Sequence, residues 1–574
     1  MQGNAMSTVV GLKVSHFRGI KELSLTFNHN RNLVCFIGRG DSGKTTILEA
    51  ISLVLSPKWN INFSDTDFFG CDVSKEIVIE ATIINFPDKL LTDAKFGLYT
   101  QAYNTDTSTI EEELPNNSSI DHYLPALTIR LSIDQSLEPT WNVVSNRTLE
   151  DRPISSKERA LMDCYLISDY FDQHFSWNKG NPLNSVLRQD DNNSTDTTVI
   201  IDQLRKAKEE IDKTDFDNLR ESTLRISRQA KHLGVNTSDI RTTLDSKELL
   251  IKDGRISLHD DLVPYRLKGK GSKRLLSMAI QSALVQKGGI MLVDEVEQGL
   301  EPDRAKQAVR ALTEHNAGQI FLTTHSREVI TELGKDPLML LIKNPLNETI
   351  DVRDLSQRLP NLQGAVRACP EAFFATKVIV CEGATEVGIC RAIDNWRQST
   401  GLPPLAFVDC AYVDGNGSTL ATRVTEINDS GISTAIFCDS DLTTINNKKS
   451  NWLEKGISVF DCEEGLCFEQ QIFTDMPWDG IKELLNYAGV EKVKSALSLT
   501  GIDPIEEIEE NEESKQRIIA LFKPKDGECG IKWFKQLHHG EEIGAILIKY
   551  LDDVDPNSKI KAIFEGLYSW ADEN

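Results

Sequence analysis

The sequence predicts an α/β fold repeated in consecutive units, and three observations carry that expectation. Gly38-Arg39-Gly40-Asp41-Ser42-Gly43-Lys44-Thr45 fits the pattern G-x-x-x-x-G-K-[ST] without a mismatch, between a strand-like apolar run at 33–37 and a helix-like run at 46–55. A second apolar run, 289–293, ends on the acidic pair Asp294-Glu295. Beyond 372 the pattern restarts, with run 378–381 ending on Glu382 and run 435–438 ending on Asp439-Ser440-Asp441. Short, continuous apolar runs mark strands buried on both faces. Polar residues directly after them fall at the carboxyl edge of a sheet, where open α/β sheets hold ligands.

Taken in order, apolar runs at 9–14, 23–27, 33–37 and 77–84 alternate with turns around the one helix that follows Lys44. This is the expected start of a nucleotide-binding α/β domain. Segments 104–120 and 189–198 are rich in Asn, Asp, Ser and Thr and read as loops bordering an insertion that ends near residue 246. Inside it Ile201, Leu204, Ala207 and Ile211 recur at helical spacing, and Leu219, Leu224, Ile226 and Leu233 continue less regularly. One or two amphipathic helices are expected there, packed on the nucleotide domain or serving as a dimerisation arm. The expected organisation is a nucleotide domain over 1–365 with a helical insertion at about 145–246, then a second α/β domain over 372–574. The glutamate-rich run 506–513 reads as a helix-breaking, solvated surface.

With 574 residues the chain exceeds one core, and its 40% hydrophobic content supports ordinary globular packing. A formal net charge of -24 argues against a protein that coats nucleic acid through general basicity. It leaves room for a local basic strip and for acidic residues that hold divalent cations. The eleven cysteines include no C-x-x-C pair, which argues against a zinc site, and several sit inside apolar runs as small buried thiols. No apolar run approaches the roughly 18 residues of a membrane span, so a cytoplasmic location without membrane contact is the expectation.

The loop Gly38–Thr45 with Thr46 after it is expected to bind ATP. Its backbone N–H groups would cradle the phosphates, Lys44 would reach the terminal ones, and Thr45 would ligate magnesium. Asp294 would complete the magnesium shell, and Glu295 would orient and polarise the attacking water. Gly299-Leu300-Glu301-Pro302 and Thr323-Thr324-His325-Ser326 follow. With these, the chain resembles the ABC-type ATPases, in the branch of the SMC-like and RecF-like DNA proteins. The resemblance implies that Asp294-Glu295 is Walker B with its catalytic glutamate, that the Gly-Leu-Glu-Pro stretch is the D-loop, and that His325 senses the terminal phosphate. Phe17-Arg18-Gly19 is similar to that branch's first strand and turn. The usual Ser-Gly-Gly signature is replaced by Lys268-Gly269-Lys270-Gly271-Ser272-Lys273-Arg274, whose lysines and Arg274 are expected to add positive charge near a phosphate. In the family ATP is sandwiched between two protomers, which implies a homodimer or higher homo-oligomer.

In the second unit, Gly383 beside Glu382 suggests close backbone approach, and Glu386 lies one helical turn on. Asp414-Gly415-Asn416-Gly417 ends another strand. Asp-x-Asp on an extended segment is a plausible clamp for Mg²⁺ or Mn²⁺, which prefer oxygen ligands. This order resembles the Toprim domain. An ABC-type ATPase ahead of a Toprim domain is similar to the OLD (overcoming lysogenization defect) family of endonucleases. The resemblance implies two metal ions held by Glu382, Glu386, Asp439, Asp441 and Glu469, with a carboxy-terminal lysine. Lys535 is preferred for that lysine over Lys532, Lys525 and Lys523. The implied function is an ATP-regulated, Mg²⁺- or Mn²⁺-dependent DNA endonuclease acting in prokaryotic anti-phage defence, with room for a partner protein encoded elsewhere. The alternatives are an ATP-driven DNA clamp for repair or chromosome maintenance with a vestigial Toprim site, and an RNA-processing Toprim enzyme.

Overall fold

The computed structural model describes residues 7–112, 122–168, 172–175, 181–189, 258–286, 288–314, 318–344, 347–357, 362–488, 508–521 and 535–573, with a few isolated positions between 206 and 224. Three large sheets organise them, beside a small two-stranded one of His259–Asp260 and Val263–Pro264. The first is antiparallel. Thr8–Phe17 pairs with Ile20–Thr26 on one side and Ile77–Ile84 on the other, and Tyr123–Ile133 continues the sheet towards Gln101–Asn104 and Thr109–Glu111. Pro139–Val144 also joins Tyr123–Ile133 and pairs in turn with Arg152–Pro153.

The second sheet has the order Cys164–Ile167, Ile290–Val293, Gln319–Thr323, Leu33–Gly38, Leu338–Lys343, Ile350–Asp354. All of its pairs are parallel except the last. Its strands alternate sides with period two. Val34 and Phe36 face the helix Lys44–Val54 and the antiparallel sheet, while Cys35 and Ile37 face the helices Lys270–Val285, Pro302–Glu314 and Arg327–Leu333. Burial on both faces is why these strands read as unbroken apolar runs.

The third sheet is wholly parallel, ordered Cys410–Asp414, Lys377–Cys381, Ser433–Cys438, Ser458–Asp461. Val378 and Val380 belong to the same apolar cluster as Cys35 and Ile37, together with the helix Leu420–Asp429. Ile379 and Cys381 face the helices Ala384–Ser399, Phe468–Asp475, Leu537–Lys549 and Lys559–Asp572. Between the sheets, Leu362–Ala368 and Pro370–Phe374 are packed into the shared core, so the second and third sheets meet through continuous apolar contact.

Within 145–246, where the sequence suggests an insertion, Arg152–Pro153 belongs to the first sheet and Cys164–Ile167 is the edge strand of the second. Of the apolar positions expected on helices there, Ile201, Leu204, Ala207, Ile211, Leu219, Ile226 and Leu233 lie outside the described residues, whereas Leu224 is helical. The glutamate run 506–513 is not helix-breaking throughout. Asn511 accepts from Ser514 N at 2.9 Å and caps a helix, Glu512–Ala520, whose first turn takes Glu512 and Glu513. Acidic side chains there favour the positive end of the helix dipole, which the run's composition alone concealed. Among the described residues no helix is long and apolar enough to cross a membrane.

Candidate active sites

The phosphate loop leaves the central strand Leu33–Gly38 and turns into the helix Lys44–Val54. Gly38 sits at φ 136°, and a Cβ there would collide with the carbonyl of Leu341 on the neighbouring strand, so only glycine fits. Gly43, at φ 94°, caps the helix. Lys44 Nζ folds back on its own loop, donating to Gly38 O at 2.9 Å, Arg39 O at 2.6 Å and Ser42 Oγ at 3.3 Å. Burial pushes its pKa down to about 8 against the pull of Asp294, Asp41, Glu295 and Glu297. A buried cation so placed is a receptor for phosphate charge.

The acids expected beside it are there. Thr45 Oγ1 donates to Asp294 Oδ1 at 2.9 Å, so the hydroxyl and carboxylate that would share a magnesium ion already touch. Thr323 Oγ1 donates to the same carboxylate at 2.6 Å and accepts from Glu295 N at 2.7 Å. Glu295 occupies φ 46°, a left-handed conformation that is unusual for a residue with a side chain and common at functional sites. His325 follows Gln319–Thr323 and lies within the field of Lys44, Glu297, Asp294 and Arg39; burial, then Lys44, holds its pKa below the usual histidine range. Glu297 is a residue the sequence reading did not single out. Its carboxylate accepts from Thr324 Oγ1 and His325 N, both at 2.7 Å, and so fixes the histidine loop. Its only sequence signal is an acid two places after Glu295.

The stretch Lys268–Arg274 departs from its expected role in one respect. Arg274 is buried and spends its guanidinium on the carbonyls of Asp294 and Glu295 and on Gln298 Oε1, so it braces the turn that carries the acidic pair and is not a free cation for phosphate. Lys268 pairs with Asp260 at 2.6 Å and Lys273 with Asp172 at 2.9 Å. Gly271 packs against Gly299 O so closely that a Cβ would approach it to 2.6 Å, which ties this stretch to the Gly-Leu-Glu-Pro loop.

At the carboxyl edge of the third sheet the structure gathers the second set of acids. Glu382 follows Lys377–Cys381, and its Oε2 accepts from Asp439 N at 2.8 Å across to the adjacent strand. Asp439 Oδ1 accepts in turn from Phe468 N at 2.8 Å, at the start of the helix that carries buried Glu469. Glu386 Oε2 accepts from Gly383 N at 2.9 Å and caps the helix Ala384–Ser399. Gly383 has an extended backbone with room for a Cβ, so the close approach expected there falls instead on Gly415, where a Cβ would meet Leu420 Cδ1 at 2.6 Å and Cys381 O at 2.8 Å. Lys535, just before the helix Leu537–Lys549, lies 3.5 Å from Glu469 Oε1. Its rivals Lys523, Lys525 and Lys532 fall outside the described residues.

The electrostatics of this set are lopsided. Burial, then Glu382 and Glu469, pushes Glu386 up to about 8. Burial also raises Asp439, reinforced by Glu386, Glu382, Glu469 and Asp441, and raises Glu382, where Asp441 and Glu469 add to it. Burial alone would lower Lys535, but Glu469, Asp439 and Glu386 outweigh it and hold the lysine above its usual range. Asp441 stays exposed. Among the described residues no three His, Cys, Asp or Glu close into a metal-ligand shell. The donors are nevertheless all carboxyl oxygens, and one lysine is too little positive charge to keep them ionised together, a deficit that a hard divalent cation keeping part of its water shell would make up.

The two acidic sites are joined by side chains. Arg39, inside the phosphate loop, pairs with Asp409 at 2.6 Å and donates to Ala406 O at 2.7 Å, both just before the strand Cys410–Asp414. The His325 ring lies 6.2 Å from the ring of Phe374, which leads into Lys377–Cys381. Sequence reading placed Arg39 in the loop but gave no sign of its reach outwards.

Residues 9–330 match the family described as AAA ATPase domain. Among curated proteins, an OLD nuclease from Thermus scotoductus is 21% identical over 429 residues, covering 70% of this chain and 76% of that protein. Similar solved structures include the Smc head domain with an extended coiled coil bound to the C-terminal domain of ScpA, from Pyrococcus furiosus, with 13% identity, 60% of this chain, 96% of that chain and a TM-score of 0.33. The recombination mediator protein RecF with ATP has 12% identity, 56% of this chain, 94% of that chain and a TM-score of 0.30. With a family match that spans the phosphate loop, Asp294-Glu295 and His325, the chain belongs to the AAA ATPase domain family and has an OLD nuclease as a relative.

Proposed function

We propose that this protein is an ATP-regulated, divalent-metal-dependent DNA endonuclease, with a Toprim-type site on the third sheet. The observation that carries the reading is the set Glu382, Glu386, Asp439 and Glu469 facing Lys535, with Glu386 and Glu469 buried and Glu382 and Asp439 half-buried, a cluster of carboxyls with too little positive charge nearby to hold all of them ionised. Glu382, Glu386, Asp439, Asp441 and Glu469 would hold Mg²⁺ or Mn²⁺, which would supply an activated water and charge stabilisation at the leaving oxygen. The chain's own part is to hold these acids at fixed angles through Asp439 N and Phe468 N, and to bring Lys535 beside the scissile phosphate as its charge grows. In the nucleotide site Lys44 and the loop bind ATP, Glu295 orients water, and Glu297 holds His325 in place.

ATP would be closed between two protomers, the phosphate loop of one meeting the Lys268–Arg274 stretch of the other. The contacts His325–Phe374 and Arg39–Asp409 support regulation, because the first links the proposed phosphate-sensing histidine to the strand that ends at Glu382 and the second links the phosphate loop to the neighbouring strand Cys410–Asp414. Restriction of foreign DNA, such as that of phage, is the biological setting this reading implies.

The test is incubation of the pure full-length chain with supercoiled and linear DNA, with Mg²⁺ or Mn²⁺, with and without ATP. Cleavage is expected with a divalent ion and not in EDTA. Asp439→Ala or Glu382→Ala should remove cleavage by at least ~100-fold and leave ATP hydrolysis nearly intact, while Lys44→Ala should abolish tight ATP binding. DNA binding without any cutting would favour a clamp, and equal loss of both activities in Asp439→Ala would break the division into two sites.

A further inference from the structure

Ser440, between the two aspartates of Asp439-Ser440-Asp441, is fully buried, and every polar group it has is engaged. Its N–H donates to Leu466 O at 3.0 Å, and its carbonyl accepts from Gly465 N and from Asn446 Nδ2, both at 2.8 Å. Its hydroxyl donates to Cys462 O at 2.7 Å and accepts from Lys449 Nζ at 2.7 Å. Lys449 comes from the helix Thr443–Glu454 and also pairs with Asp461 Oδ2 at 2.6 Å. The other oxygen of Asp461, Oδ1, accepts from Lys559 Nζ at 3.0 Å. Two lysines thus surround one carboxylate, and one of them is bonded to the serine between the aspartates. Neither lysine is bonded to Asp439 or Asp441, so their action on those acids passes through the Ser440 backbone and hydroxyl.

We propose that Lys449 is a positioning residue for the divalent-cation site: bridging Ser440 and Asp461, it locks the Asp439-Ser440-Asp441 turn so that both carboxylates are aimed at one cation before it arrives. This rests on the reading of that site as metal-binding. Ligands oriented by their neighbours bind a metal more tightly because less side-chain freedom is lost on binding, and removing such a support typically costs about 10–100-fold in metal affinity. A serine is suited to the central place because one hydroxyl can donate to Cys462 and accept from Lys449 at once.

The test uses the full chain with Lys449→Met, Lys449→Arg and Ser440→Ala. Mn²⁺ binding is measured by calorimetry without DNA, together with the Mg²⁺ concentration for half-maximal cleavage and the melting temperature in EDTA. Lys449→Met and Ser440→Ala should weaken Mn²⁺ binding and raise the Mg²⁺ requirement by about 10–100-fold, with ATP hydrolysis unchanged, and Lys449→Arg should recover most of the affinity. Wild-type Mn²⁺ affinity in Lys449→Met and Ser440→Ala, accompanied only by lower melting temperatures, would overturn the proposal by showing that the cluster is structural. Should Lys449→Met not fold, the other two variants carry the same comparison. Failure of wild type to bind any divalent ion at the acids would instead remove the metal reading itself, and this proposal with it.

Discussion

Lys44 shows how much a single side chain's surroundings determine. Its folded pKa of about 8 lies below the 10.5 of an exposed lysine because burial disfavours the cation. Bound triphosphate opposes that penalty and returns the pKa upwards, so ATP binding takes up a proton between the two values. ATP affinity is therefore expected to be flat below a pH of about 8 and to fall as pH rises above it, by up to about tenfold per unit, in calorimetric titrations. Affinity that is constant through this range would show that Lys44 stays charged without the nucleotide. The lysine itself was plain in the sequence because the loop pattern specifies it. Glu297 was not, because its role consists of two hydrogen bonds to Thr324 and His325, residues 27 and 28 positions away. Arg274 was misjudged for a related reason: a basic residue in a glycine-rich stretch looks like a phosphate ligand until its carbonyl partners are seen.

Among the elements, the helices Ala384–Ser399 and Leu537–Lys549 show what brings the second site together. They touch through glycine. A Cβ on Gly388 would strike the Leu537 carbonyl, one on Gly540 would strike that of Thr385, and one on Gly544 would meet Ala392 Cβ at 2.6 Å. The close crossing sets Glu386, in the first turn of one helix, near Lys535, just ahead of the other. Gly540→Ala should force the helices apart, destabilising the fold by about 1–3 kcal/mol and lowering cleavage more than ATP hydrolysis, as melts and parallel assays would read. Undiminished cleavage would mean that Lys535 is not held by this crossing. Strands ending in Glu382 and Asp439 could be read from apolar runs of four or five residues, whereas the helix crossing could not, since its glycines are about 150 positions apart and carry no periodic signal. Cys164–Ile167 escaped although it is as long as the run 378–381, because it carries no motif at its end and falls inside the span read as a helical insertion.

At the scale of the whole molecule, the continuous core between the second and third sheets means that the two sites are not independent beads on a string. Glu295→Gln should bind ATP, hydrolyse it slowly and so accumulate one nucleotide state. Its DNA cleavage at saturating ATP should differ from that of wild type, and the difference should vanish without nucleotide; identical cleavage at every ATP concentration would mean that the sites are uncoupled. The size of any such effect is bounded by what joins them. Arg39 and Asp409 are 40% and 44% exposed, and an ion pair so open to water is worth at most about 1 kcal/mol, a factor of about five in an equilibrium. Salt should shrink it further. Acting through this pair alone, ATP would be a dimmer for the proposed nuclease and not a fuse. By reciprocity, DNA bound at the proposed third-sheet site would tighten or loosen ATP by no more than the same small factor along that route.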